Sequence, residues 1–127
     1  MFEDNELLPL FMQVAQWIKD EILKENFREE EQVPSINQFA NLYKMNPATA
    51  NKGLKLLVDE GILYKKRGIG MFVAAGAKEM IQKEAKQKFQ EETVKEFWQE
   101  AKKLGITIEE LIGMLQEEEK TDEHNRM

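Results

Sequence analysis

Cysteine is absent from this 127-residue chain, histidine occurs once and proline three times. Without thiols there is no disulfide, no thiolate zinc site and no sulfur nucleophile. His124 stands in a polar C-terminal stretch without companion ligands, so no metal site is assigned to it. No acidic pair is flanked by pocket-like apolar sequence, and the other parts of a catalytic site are missing, so neither an enzyme nor a cofactor is expected. Long apolar runs are lacking as well. The run at residues 7–12 is far too short to cross a bilayer and no signal peptide precedes it, which predicts a cytoplasmic protein with no membrane partner. The chain also lacks the basic excess common in nucleic-acid binders: 18 Lys and Arg face 24 Asp and Glu, a net charge of −6.

What is present is 42% hydrophobic and 33% charged, the balance of a folded chain rather than a disordered one. The length suits one small domain with an appendage and is too short for two full-sized domains. Charge is spread unevenly. Residues 44–67 carry Lys44, Lys52, Lys55, Lys65, Lys66 and Arg67 against only Asp59 and Glu60, whereas residues 77–127 hold nine basic and thirteen acidic side chains. Docking on phosphate follows local potential, so one basic face suffices in an acidic protein. The acidic runs at residues 29–31 and 117–119 read as solvated charge.

Periodicity places a first helix from Pro9, at N1, to about Glu25, with Phe11, Val14, Ala15, Ile18 and Ile22 on one face and Leu10 and Trp17 widening the stripe. Residues 28–32 read as a charged, flexible connection, and Pro34 holds Val33 extended. Ser35 and Gln38 form a capping box for a short helix with Ile36, Phe39, Ala40 and Tyr43 on its apolar face. Asn46 and Pro47 cap and open the next helix, where Ala50, Leu54, Leu57 and Val58 point inward and Gly61 ends it. Only about three residues separate the pair, which forces a steep crossing. Residues 62–64 and 71–74 then read as strands about a turn at residues 65–70 containing Gly68 and Gly70. A compact helix pair followed by a basic hairpin is the pattern of a winged helix-turn-helix. Its second helix enters the major groove and its wing lies along the backbone.

The remaining residues change character. One long helix carries Met80, Ile81, Ala85, Phe89, Val94, Phe97, Trp98, Ala101 and Leu104 and ends at Gly105. Thr107 and Glu110 cap a short last helix with Ile108, Leu111, Ile112 and Leu115, and the polar residues after Glu117 are expected to fray. Aromatics at helical spacing read as packing in preference to a ligand cleft. No further segment is left to cover them, which assigns them to the same helix of a second subunit around a two-fold.

Pro9 with Leu10, the VPS of residues 33–35 with Phe39 and Ala40, the NPAT of residues 46–49, the LxxLVDEGIL of residues 54–63 and the RGIGMFV of residues 67–73 together resemble the DNA-binding domain of the gluconate-repressor (GntR) superfamily. The two-helix tail is similar to that of its YtrA-type branch. The resemblance implies a bacterial transcription factor, homodimeric, that binds a double-stranded operator and usually represses. Members of the family commonly place Arg where this sequence has Asn37, Pro47 and Asn51, and often a small hydroxyl residue where it has Met71. Asn presents a donor and an acceptor together and suits an adenine edge, whereas Arg suits guanine, so the expected operator is rich in A·T.

The resulting expectation is a mainly α fold with a small β-hairpin: a winged helix-turn-helix DNA-binding domain over residues 1–75 and a two-helix dimerisation segment with a polar tail over residues 76–127. Ser35, Asn37, Asn46, Ala48, Thr49, Asn51, Lys52, Lys65, Lys66, Arg67, Gly68 and Gly70 are the candidate DNA contacts, the glycines by letting the backbone approach the duplex closely. Phe89, Val94, Phe97, Trp98, Ala101, Leu104, Leu111 and Leu115 are the candidate dimer contacts. The tail is too short for an enclosed effector cavity of several hundred cubic ångströms, which leaves open a small-molecule pocket at the dimer interface. The rival reading is a winged-helix module that binds protein and not DNA, against which the basic wing argues.

Overall fold

The computed structural model describes residues 8–126. The first residue of the apolar run at 7–12, and the outer ends of the expected regions 1–75 and 76–127, lie outside the described residues. The described chain forms α1 (Leu10–Leu23), α2 (Ile36–Leu42), α3 (Pro47–Asp59), strands β1 (Leu63–Lys66) and β2 (Gly70–Val73), α4 (Ala77–Lys88), a π-helical turn at Phe89–Val94, α5 (Lys95–Lys103) and α6 (Ile108–Arg126). Compactness divides it into two units between Glu84 and Ala85, inside α4 and downstream of the hairpin. Among the described residues no helix is long and apolar enough to cross a membrane.

In the first unit, the three-to-four spacing of Val14, Ala15, Ile18 and Ile22 buries one face of α1. Pro9 is the residue before the helix and not its first: its ψ of 149° is extended, and its carbonyl accepts from Met12 and Gln13 at 3.0 and 3.1 Å. The helix also stops before Glu25, whose φ of 63° turns the chain away. Phe39 of α2, Leu54 and Leu57 of α3, and Ile62, Leu63 and Val73 around the hairpin complete the core. Trp17 meets Phe27, Phe39 and Tyr43 edge-on, with ring centroids 5.3–5.9 Å apart. Such pairs add roughly 0.5 to 1.5 kcal/mol each beyond their buried area.

Gly53, which no motif in the sequence marks, lies where α3 meets α1. A Cβ there would stand 2.7 Å from the Phe11 carbonyl oxygen and 2.8 Å from Val14 Cγ1, so the two helices approach as closely as a bare backbone allows. Val58, expected inward with Leu54 and Leu57, is only half-buried at the core's edge.

Residues 28–32 are not a flexible connection. Glu30 N–H donates to the Val73 carbonyl (2.7 Å), Val73 N–H to Glu31 (2.9 Å) and Val33 N–H to Met71 (2.9 Å), so this segment pairs with the open edge of β2, Gln32 opposite Phe72. Its acids are employed as well: a Glu29 carboxylate oxygen accepts from Gly76 N–H at 2.9 Å, and Glu30 accepts from the Tyr64 hydroxyl. The backbone groups of an extended segment need partners, and β2 supplies them.

In the second unit the expected single helix is interrupted by the π-turn at Phe89–Val94. Phe89 and Val94 are five residues apart, a spacing that a 3.6-residue helix spreads widely around its axis and an i→i+5 turn returns to one side. Gly105, at φ 69°, closes the helix, and Thr107 and Glu110 form the expected capping box. The last helix is longer than expected and continues to Arg126. Residues 116–120 are strong helix formers, Lys120 pairs with Glu117 at 3.6 Å, and the Thr121 hydroxyl donates to the Glu117 carbonyl at 3.0 Å.

Candidate nucleic-acid interface

Helix α2 begins with reciprocal caps: Ser35 Oγ accepts from Gln38 N–H at 3.1 Å while Gln38 Oε1 accepts from Ser35 N–H at 2.9 Å. Ser35 and Asn37 are exposed at this helix start, and the Ser35 hydroxyl proton remains available to an acceptor outside. Residues 43–46 then turn the chain, with Lys44 in the left-handed region at φ 51° and Met45 N–H bonded to the Ala40 carbonyl at 3.0 Å.

Asn46 Oδ1 accepts from Ala48 N–H at 2.8 Å, committing its oxygen to the start of α3. Ala50, Gly53, Leu54 and Leu57 are buried, which leaves Ala48, Asn51, Lys52 and Lys55 on the outer face, with Thr49 half-buried beside them. In the sequence Lys55 stands out only as charge, yet it lies four residues from Asn51 on the same side, a spacing legible without the structure. Lys52 is not a free cation: its ammonium lies 4.1 Å from the centre of the Phe11 ring. Leu10, Phe11, Ala48, Thr49 and Lys52 line a depression of about 290 Å³ there.

The hairpin pairs Leu63 with Val73, Tyr64 with Phe72, Lys65 with Met71 and Lys66 with Gly70. The turn is therefore shorter than the expected 65–70: Lys65 and Lys66 belong to β1 and Gly70 to β2. Residues 67–69 suffice because Gly68 takes φ 78° and Ile69 N–H returns to the Lys66 carbonyl at 3.0 Å. Alternation along β1 sends Lys65 and Lys66 to opposite faces of the wing, so the basic run does not act as one block. Lys66 shares its face with Tyr64 and Phe72, which stack at 5.8 Å, and its ammonium lies 4.5 Å from the Phe72 ring centre. The Tyr64 phenol is held above its usual range, first by its hydrogen bond to the Glu30 carboxylate and then by burial and by that carboxylate's charge. Arg67 and Gly68 stand exposed at the tip. Gly70 is less open than expected, because the Gln32 side chain lies across it.

A second surface belongs to the second unit. Phe89, Thr93, Val94, Phe97, Trp98, Ile108, Leu111, Ile112 and Leu115 line an open cleft of about 590 Å³. Six of the eight expected dimer residues meet there. Ala101 is buried within the unit, and Leu104 is 67% exposed and away from the lining. Ile108 and Ile112 join the cleft because α6 presents them beside Leu111 and Leu115.

The family described as bacterial regulatory proteins, gntR family, matches residues 10–73. The HTH-type transcriptional repressor YtrA of Bacillus subtilis is 33% identical over 70 residues, 55% of this chain and 54% of that protein. The chain thus spans about half the length of that curated relative. A solved structure of a putative transcriptional regulator of the GntR family from Bacteroides thetaiotaomicron is similar at 35% identity and TM-score 0.73, over 88% of this chain and 97% of the other. AraR(DBD), solved in complex with operator ORX1, is similar at 28% identity and TM-score 0.54, over 58% of this chain and 93% of the other.

Proposed function

The chain belongs to the gntR family of bacterial regulatory proteins, and from that premise we propose that it is a transcriptional repressor that binds an A·T-rich inverted-repeat operator as a homodimer. The observation that carries the reading is the outer face of α3, where Asn51, Lys52 and Lys55 stand exposed opposite a buried Ala50–Gly53–Leu54–Leu57 face, next in sequence to a basic wing. The similar AraR(DBD) structure holds an operator, and the similar YtrA is a repressor. In this reading α3 enters the major groove and reads base edges. Ser35, Thr49, Lys66, Arg67 and Gly68 meet the phosphate backbone, which gives affinity and register without sequence information. Residues 1–75 carry the DNA contacts.

The second copy is proposed to cover the apolar cleft of residues 85–127, since Phe89, Phe97, Ile112 and Leu115 are each about half exposed in one chain. An open patch of that kind on a soluble surface marks an interaction site. Selection of bound sequences from random DNA tests both claims. Recovery of an inverted A·T-rich repeat supports them, and recovery of no consensus rejects sequence-specific binding.

A further inference from the structure

We infer that Gln32 is a positioning residue for the wing: its side-chain amide holds the turn between β1 and β2 in the form that meets phosphate, an inference that rests on the DNA-binding reading. Gln32 starts from a fixed point. Val33 N–H and the Glu31 carbonyl, on either side of it, are bonded to Met71 and Val73 of β2, each at 2.9 Å. From there its Nε2 donates to the Ile69 carbonyl at 3.0 Å, the last residue of the turn. Among the described residues no other side chain hydrogen-bonds to residues 66–70.

Gly70 explains itself in the same geometry. With φ 147° it occupies a conformation that favours glycine, and a Cβ there would lie 2.5 Å from Gln32 Nε2. The absent side chain at position 70 is the passage through which the amide reaches Ile69. That accounts for one of the wing's two glycines without invoking the duplex, whereas a Cβ on Gly68 would meet nothing within 4 Å. Glutamine is suited to the task because it combines reach with a donor. Glutamate has the reach but offers only acceptors, and it would set a negative charge against a carbonyl oxygen. A turn fixed before encounter loses less conformational freedom on binding than one ordered by the DNA itself.

The test uses the whole protein and an operator obtained by selection. Gln32→Met keeps the length and removes the donor, and Gln32→Glu adds repulsion. Each is titrated against operator at several salt concentrations beside a thermal unfolding curve. The unfolding midpoint should fall by no more than a few degrees, while affinity falls by up to about fivefold for Gln32→Met, the ceiling set by one net hydrogen bond, and further for Gln32→Glu. The combined Gln32→Met/Arg67→Ala variant should bind no worse than Arg67→Ala alone, because Gln32 acts through the turn. Unchanged affinity in Gln32→Met, or fully additive losses in the pair, overturns the assignment. Should the wild type select no DNA at all, the DNA-binding reading is what fails. Amide exchange at residues 67–70 then decides on Gln32: faster exchange in Gln32→Met upholds its role, and equal exchange removes it.

Discussion

A methyl group at position 53 has nowhere to go. Phe11 O and the Val14 side chain already stand within 3 Å of where it would sit, so Gly53→Ala must push α1 and α3 apart. The better helix propensity of alanine is outweighed, and a loss of about 1 to 3 kcal/mol in urea unfolding is expected, the range for overpacked cores. Equal stability would show that α1 slides aside freely. On the opposite side of the same helix, Asn51→Ala should relax the preference for one A·T pair in each half-site by about 1 to 3 kcal/mol, the scale of a bidentate contact, and leave binding to other sequences nearly unchanged. Identical consensus sites from mutant and wild type would make Asn51 an ordinary solvated residue. Tyr64 supplies a pH dependence. Its folded pKa lies above the unfolded value of 10.0, so the tether to Glu30 is fully present below that pH and is lost as pH rises through the folded value. Tyr64→Phe lacks the tether at every pH. Its deficit against wild type in urea unfolding should therefore be constant near neutrality and shrink only in strong alkali.

The elements differ in how openly the sequence announced them. The starts of α2 and α3 were legible because a cap is a local event: Ser35 with Gln38, and Asn46 with Pro47, act within one turn of chain. Residues 28–33 were not, because their partner β2 lies far downstream and a run of glutamates carries no alternation to betray an edge strand. The wing shows both sides. Its glycines and basic residues were plain, but its register, which separates Lys65 from Lys66, needed the pairing itself. In the proposed complex, replacing Lys66 and Arg67 by alanine should lower the slope of log K against log salt by about 0.9 for each phosphate left without its cation in each subunit. An unchanged slope would detach these side chains from DNA. The π-turn makes a different kind of forecast. An i→i+5 turn is an α-helix with one residue too many, so deleting exposed Glu92 should let the helix close regularly with Phe89 and Val94 still on one side. Thermal stability should hold or rise. Deleting Gln99, in regular α5, should instead rotate buried Ala101 out of place and lower it.

For the whole molecule, the proposed dimer turns on the cleft of residues 85–127, and Trp98→Asp places a charge among its apolar walls. Sedimentation should find wild type dimeric at micromolar concentration and Trp98→Asp monomeric, and a monomeric wild type that still binds operator would discard the second copy. The pairing of residues 28–33 with β2 sets an order of events during synthesis. Glu29 closes onto Gly76, Glu30 onto Tyr64 and Gln32 onto Ile69, so the N-terminal half of the first unit cannot be finished with what the ribosome has made by the end of α3. The core waits too, for Val73 and then Ala77 and Ile81. A nascent chain halted after residue 61 should therefore remain sensitive to protease, and one halted late enough for α4 to have left the exit tunnel should be resistant.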